Sequence, residues 1–354
     1  MSLLINFGFN SHFNQLSIPY LQKGLNAGRV TSIQGFIYHL IGEAGEIEAE
    51  LSGALLNSKE NWELPKVGDW VVFVPVEERG YIIEVLERQT ILSRKMPGKE
   101  TGKQVLVANV DYAFIVQSLD QDFNLMRLQR YLHQIKESQI APIVIINKAD
   151  LVSEPSAFIN LVDNLGYHVP VILTSTVTGL GLEELKTQIM QEGKTYVLLG
   201  SSGVGKSSLL NSLLMENTQQ TSHISTSNNK GRHTTTFRYL TLLSNGSILI
   251  DTPGMREFGL TADATEESRF IHPLIDELAG KCKYPDCRHE LEPGCAVVAA
   301  VNDNELPEVV YRSYLKLLKE QQHYQLTVTE KRRNERQFGK ISREIQSLKR
   351  KWKS

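Results

Sequence analysis

Between residues 29 and 96 the apolar and polar positions alternate in short runs, over 34–40, 46–51, 69–76 and 81–90, separated by turns containing Gly42, Gly45, Gly68 and Gly80. Alternation with a period of two marks strands that are buried on one face only. Four or five such strands in about 65 residues predict a small barrel, for which the five-stranded oligonucleotide-binding (OB) type is the leading expectation. From Gln104 the rhythm changes. Apolar runs at 105–108 and 113–116 are followed by a helical stretch at 125–137, a strand at 140–146, and further strands near 170–173, 195–199 and 247–250. Strands alternating with helices predict a parallel sheet with crossover helices. After about Leu260 this pattern gives way to a cysteine-containing segment, a helix opened by Pro307 and a charged tail. Residues 1–28 show no sustained periodicity and read as an irregular or weakly helical extension.

Composition adds limits to this picture. The chain has 354 residues, 41% apolar and 22% charged, enough for two or three cores. Its apolar stretch at 105–116 is interrupted by Asn109 and Asp111, so no membrane span is expected. The N-terminus lacks the pattern of a signal peptide, and a cytoplasmic location is expected. Net charge is −2, but residues 330–354 hold ten Lys or Arg against three acids, a local +7 that leaves −9 on the rest. Such a tail suits RNA phosphates. Residues 1–100 hold nine basic and twelve acidic side chains, so an RNA face on the barrel has to be local, drawing on Arg29, Tyr38, Arg88 and Lys95.

The candidate chemistry starts at residues 195–199, an apolar run leading into Gly200-Ser201-Ser202-Gly203-Val204-Gly205-Lys206-Ser207, with Ser208 beginning a helix-like stretch. This is the phosphate-loop pattern in its strand-loop-helix context. Backbone N–H groups and the helix N-terminus cradle phosphates, Lys206 reaches the terminal phosphates, and Ser207 can ligate Mg²⁺. The base is chosen by Asn147-Lys148-Ala149-Asp150, which closes the strand at 140–146. A carboxylate at Asp150 accepts from two N–H donors, which guanine offers and adenine does not. Thr174-Ser175-Thr176 ends the next strand, where a backbone N–H is placed for the guanine carbonyl.

Asp251-Thr252-Pro253-Gly254 follows another apolar strand, so Asp251 is expected to hold Mg²⁺ through water and the Gly254 N–H to face the γ-phosphate. Gly231-Arg232-His233-Thr234-Thr235-Thr236 lies in a polar stretch between them. One of these threonines, taken as Thr235, is expected to complete the Mg²⁺ shell only when the γ-phosphate is present. Met255 occupies the place where Ras-like enzymes carry a water-orienting Gln. His233, the nearest titratable group in sequence, is therefore the candidate for positioning or deprotonating the water, and intrinsic turnover should be weak. The chain's three cysteines, Cys282, Cys287 and Cys295, form with His289 a Cys-x₄-Cys-x-His-x₅-Cys cluster. Three thiolates and one imidazole suit a closed, structural Zn²⁺ site.

The order of these motifs, guanine motif before phosphate loop and zinc cluster last, resembles the bacterial small ribosomal subunit biogenesis GTPase family, of the RsgA/YjeQ type. The resemblance covers the chain from about Arg29 to its end and implies an N-terminal OB-type β-barrel, a central circularly permuted GTPase and a C-terminal zinc domain. The expected boundaries are an extension at 1–28, the barrel at 29–98, the permuted α/β GTPase at 104–262, the zinc domain at 263–325 and a basic helical tail at 326–354. The resemblance also implies a GTP-hydrolysing factor acting late in small-subunit maturation, stimulated by the subunit and bound to its rRNA. A monomer without membrane contact is expected. Two other readings stay open here: a GTP-regulated RNA-binding module, or a GTPase acting on tRNA or a protein partner.

Overall fold

The structure, a computed structural model, describes residues 2–95, 103–120, 122–214, 238–251, 273–285, 287–290, 292–308, 310–312 and 314–315. His233, Thr235, Gly254, Met255 and the basic tail lie outside the described residues. The chain divides into two compact units, residues 1–123 with 128–262, and residues 124–127 with 263–354.

The first unit opens with helices α1 (Ser2–Asn6) and α2 (Ser11–Leu21). Next come β1 (Asn26–Gln34), β2 (Ile37–Gly42), β3 (Gly45–Leu51), α3 (Gly53–Ser58), β4 (Trp70–Val76) and β5 (Arg79–Val85). These strands pair in the order β1-β2-β3-β5-β4, and β4 returns to β1 to close a five-stranded barrel. Only the β3–β5 pairing is parallel within it, and α3 fills the β3–β4 connection. The inward positions of the alternating runs form its core, with Val30, Leu40, Val71, Phe73 and Ile82 buried.

The extension is more ordered than its periodicity suggests. Asn10 caps α2 by accepting from the Phe13 N–H at 3.2 Å. Phe9 and Phe13 pack on Trp70, with ring centroids 4.8 and 5.7 Å away. The apolar stripe of α2 spans few turns and the helix contains Pro19, so a periodicity test passes over it.

The α/β part continues with β6 (Ile91–Lys95), β7 (Lys103–Ala108), β8 (Tyr112–Ser118), α4 (Leu125–Glu137), β9 (Ala141–Asn147), α5 (Ala157–Asp163) and β10 (Val171–Leu173). Then follow α6 (Leu182–Glu184), β11 (Thr195–Leu199), α7 (Lys206–Leu214), β12 (Tyr239–Leu242) and β13 (Ile248–Asp251). The sheet runs β10-β9-β8-β11-β13-β12, with parallel pairing everywhere except β12–β13. Here β8, first of these strands in the chain, lies beside β11, which leads into the phosphate loop. One face of the sheet carries Phe114, Val116, Ile143, Ile145, Tyr196 and Leu198 against Leu209 and Leu213 of α7.

Two expectations are corrected. The apolar run at 105–108 does not join the parallel sheet, because β7 pairs antiparallel with β6 in a separate two-stranded ribbon. Apolarity makes a strand but does not choose its partner. The proposed RNA face of the barrel also fails at three positions: Arg29 is 1% exposed, Tyr38 is 7% exposed and the Arg88 side chain is 8% exposed. Arg29 donates to the carbonyls of Phe7, Gly68 and Asn109 and to Thr195 Oγ1, joining α1, the barrel and the start of β11. Arg88 grips Asp69 with two 2.8 Å bonds. The Lys95 side chain lies outside the described residues.

In the second unit α8 (Pro273–Ala279) and α9 (Ala296–Asn302) flank the cysteine cluster. Ile275, Val297, Ala300, Leu306, Val310 and Tyr314 are buried. A helical turn starts at Pro307, whose carbonyl accepts from the Tyr311 N–H at 3.2 Å.

Candidate nucleotide and metal sites

The loop from Gly200 to Gly205 turns on left-handed glycines, with φ of +144° at Gly200, +88° at Gly203 and +94° at Gly205. Lys206 opens α7 and its ammonium reaches back across the loop to the carbonyls of Gly200, at 2.7 Å, and Ser201. Val204 is buried, whereas Ser202, Gly203, Ser207 and Ser208 are exposed, so the loop presents its backbone and hydroxyls outward. This is the arrangement that binds polyphosphates. Asp251 ends β13, on a strand parallel to and paired with β11.

The Asn147–Asp150 motif interlocks with this loop. Asn147 is fully buried; its Nδ2 donates to Val204 O at 2.9 Å and its Oδ1 accepts from Thr174 Oγ1 at 3.1 Å. Lys148 takes a left-handed conformation, φ 59°, and its ammonium donates to Gly203 O at 2.7 Å. Ala149 is buried, its N–H held by Thr174 O at 3.0 Å, which leaves Asp150 exposed on a short 3₁₀ turn. The Ser175 N–H is given to Leu180 O, so the expected backbone contact to a guanine carbonyl is not free at Ser175. Its hydroxyl instead donates to Asp150 Oδ1, and also accepts from the N–H groups of Val177 and Thr178. Ser175 thus aims the carboxylate that would read the base.

Two residues with no place in the motifs enter the site. Asp120 accepts from Lys148 Nζ at 2.6 Å, and Asp122 accepts from the Ser201 hydroxyl. Burial pushes the Asp120 carboxyl up, but hydrogen bonds from Lys148, the Asp122 N–H and Ser118 outweigh it and bring the pKa down to about 2. In the sequence the only trace of them is an i, i+2 acid pair just after an apolar strand, a common surface pattern.

The sulfur and imidazole donors of Cys282, Cys287, His289 and Cys295 all lie within 4.8 Å of one another. Cys282 Sγ stands 3.9 Å from Cys295 Sγ and 3.6 Å from His289 Nδ1, and Cys295 Sγ stands 3.5 Å from the same nitrogen. A tetrahedron with metal–sulfur bonds of about 2.3 Å has edges of about 3.8 Å, so these three donors already stand near zinc spacing, with the Cys287 sulfur within 4.8 Å of each. Burial holds His289 below its ordinary pKa, keeping the imidazole neutral, as a ligand must be. Tyr311 donates to His289 O at 2.7 Å and fixes the left-handed residue from the following helical turn. Among the described residues no helix is long and apolar enough to cross a membrane.

Comparison with known proteins agrees with this geometry. A family model described as RsgA GTPase matches residues 85–261, and one described as 50S ribosome-binding GTPase matches residues 195–331. The chain is 39% identical over 328 residues to small ribosomal subunit biogenesis GTPase RsgA 1 of Bacteroides thetaiotaomicron, covering 92% of each chain. It is 41% identical over 322 residues to RsgA 2 of Listeria monocytogenes serotype 4b, covering 91% of this chain and 90% of that one. Among solved structures it is similar to YjeQ from Thermotoga maritima, with a TM-score of 0.51 and 28% identity, over 84% of this chain and 98% of that chain.

Proposed function

The chain belongs to the RsgA GTPase family, and we propose that it is a GTP-hydrolysing factor that binds the small ribosomal subunit, through its rRNA, during late maturation. The observation that carries the nucleotide part is the interlock of Asn147 and Lys148 with the carbonyls of Val204 and Gly203. Residues with guanine-reading chemistry are thereby held at a fixed distance from a phosphate cradle.

In this reading Asp150, aimed by Ser175, accepts the two guanine N–H donors. The N–H groups from Gly203 to Ser208 and the Lys206 ammonium take the phosphates, and Ser207 and Asp251 serve Mg²⁺, which neutralises phosphate charge when bound. His233 positions or deprotonates the attacking water, and Thr235 and Gly254 sense the γ-phosphate. Zinc held by Cys282, Cys287, His289 and Cys295 takes the place of an apolar core in a short, loop-rich segment. The +7 tail supplies salt-sensitive RNA affinity, and the protein works in the cytoplasm as a monomer.

The test is GTP hydrolysis by the protein alone, with small subunits and with large subunits. Stimulation by the small subunit, lost in His233→Ala, is expected. The description of the second family model names the 50S particle, so stimulation by the large subunit alone would redirect the assignment. Stimulation by neither would move the partner away from ribosomal particles.

A further inference from the structure

The β8–α4 connection is short, yet it touches both halves of the nucleotide site. Asp120 Oδ2 accepts from Lys148 Nζ at 2.6 Å, while its Oδ1 accepts from Ser118 Oγ at 2.8 Å and the Asp122 N–H at 2.9 Å. Lys148 passes the contact on to Gly203 O at 2.7 Å, in the middle of the phosphate loop. Asp122 holds the Ser201 hydroxyl at the start of the same loop. Besides the Asn147 bond to Val204 O, the loop is therefore gripped from the β8–α4 connection at two points, one through Lys148 and one directly.

From these contacts we infer that Asp120 and Asp122 are positioning residues for the guanine nucleotide: Asp120 fixes Lys148 across the phosphate loop, Asp122 fixes Ser201 at its mouth, and both set affinity without touching the ligand. The inference rests on the nucleotide-site reading given above.

The physical case is one of preorganisation. A lysine side chain has four rotatable bonds, and the Lys148 ammonium is directed over the loop by two partners, Asp120 Oδ2 and Gly203 O. A single carbonyl at Gly203 would define one end of a weak contact; a carboxylate on the far side defines a direction. Asp120 is itself held by Ser118 and the Asp122 amide, so the ordering is not bought by freeing another group. The glycines of the loop have no side chains to limit their backbone, and a loop with three left-handed glycines gains most from external ties. Charge argues the same way. Two bare carboxylates beside a polyanion site would repel the ligand, but Asp120 is neutralised by Lys148, so it can brace the site without opposing the phosphates.

The experiment is a pair of double-mutant cycles on the full-length protein, Asp120→Ala with Lys148→Ala and Asp122→Ala with Ser201→Ala. GDP and GTP dissociation constants are read by equilibrium dialysis, and melting temperatures by calorimetry. Each single variant is expected to bind about tenfold more weakly, and each double no more weakly than its worse single, a non-additivity that a general loss of structure would not give. With small subunits present, Asp120→Ala should raise KM and leave kcat at saturating GTP unchanged. Asp122→Asn, which keeps an oxygen acceptor for Ser201, should restore most of the affinity lost in Asp122→Ala. Wild-type affinity in the single alanine variants, or additive losses in the cycles, would overturn the inference. Asp150→Asn serves as the separate control, because a shift toward xanthine nucleotides tests the base-reading assignment itself; if that shift is absent, the reading beneath the inference fails, whatever the cycles show.

Discussion

Gly205 and Asn147 share a space that only a glycine leaves open: a Cβ at 205 would lie 2.3 Å from Asn147 Nδ2. The two residues are separated by a crossover and belong to different motifs, yet the permuted chain presses the end of β9 against the phosphate loop. The same Asn147 nitrogen donates to the neighbouring Val204 carbonyl. Gly205→Ala is therefore expected to displace Asn147 and strain a backbone held at φ +94°. A strain of about 1–3 kcal/mol corresponds to roughly 5- to 150-fold weaker guanine nucleotide binding. Titration with a fluorescent GDP analogue checks it, and unchanged affinity would show that the interlock does not set the site's geometry.

Arg29 is a second joint, and its role is the reverse of what its charge suggests. Fully buried, it is lowered by desolvation to a pKa of about 10, still well above neutrality, and its donors serve Phe7, Gly68, Asn109 and Thr195. Arg29→Ala strands these acceptors, at a cost of about 3 kcal/mol or more. Calorimetry should show the melting temperature of the first unit falling by on the order of 10 °C. The salt dependence of RNA binding by the folded fraction should stay as in the wild type, because the guanidinium does not reach solvent.

What could be read from the sequence, and what could not, divides along these lines. The phosphate loop, Asn147 to Asp150 and the Cys/His cluster were legible because each is a contiguous run whose chemistry is fixed by residue type and spacing. The barrel was legible in its alternation, and its closure by β4 on β1 follows once five strands must hide their edges. Contacts between distant segments were not. Asp120 and Asp122 resemble ordinary loop acids until β9 and β11 bring Lys148 and Ser201 beside them. Arg29 and Arg88 look like surface cations, since a sequence gives charge but not burial, and β7 looks like part of the parallel sheet until its pairing with β6 is seen.

Arg88 and Asp69 make a pH-dependent prediction. Burial raises the pKa of Asp69, and Arg88, by hydrogen bond and charge, is the main force pulling it back. Arg88→Ala leaves a buried carboxylate without its ion-pair partner, still accepting from the Lys66 N–H, a loss of about 3–5 kcal/mol at neutral pH. The sign follows from linkage: with its folded pKa raised further above the unfolded value of 3.8, the Asp69 carboxyl contributes stability present below that value and lost as pH rises through the folded pKa. Denaturant melts of Arg88→Ala and wild type from pH 4 to pH 8 should therefore show the deficit widening toward high pH. A constant deficit would mean that Arg88 acts through its bonds to the Trp62 and Leu64 carbonyls and not through Asp69.

The metal cluster gives the remaining prediction, because among the described residues of its unit the two helices are only seven residues long each. Three of the four donors stand 3.5–3.9 Å apart, and Cys295 doubles as the cap of α9, accepting from the Val298 N–H at 3.5 Å. Metal binding and the start of that helix thus draw on one sulfur. Zinc-site binding energies of about 10 kcal/mol exceed what a core of this size contributes. One zinc per chain should be released by a thiol-blocking mercurial and counted with a chromogenic chelator. Amide exchange in residues 273–315 should then accelerate by several orders of magnitude, while Asn147 and the phosphate loop, in the other unit, keep their protection and their affinity for GDP. Cys295→Ser should lose both the zinc and the helix protection; if it kept the protection, the cluster would be a set of buried thiols and the second unit would stand on its apolar contacts alone.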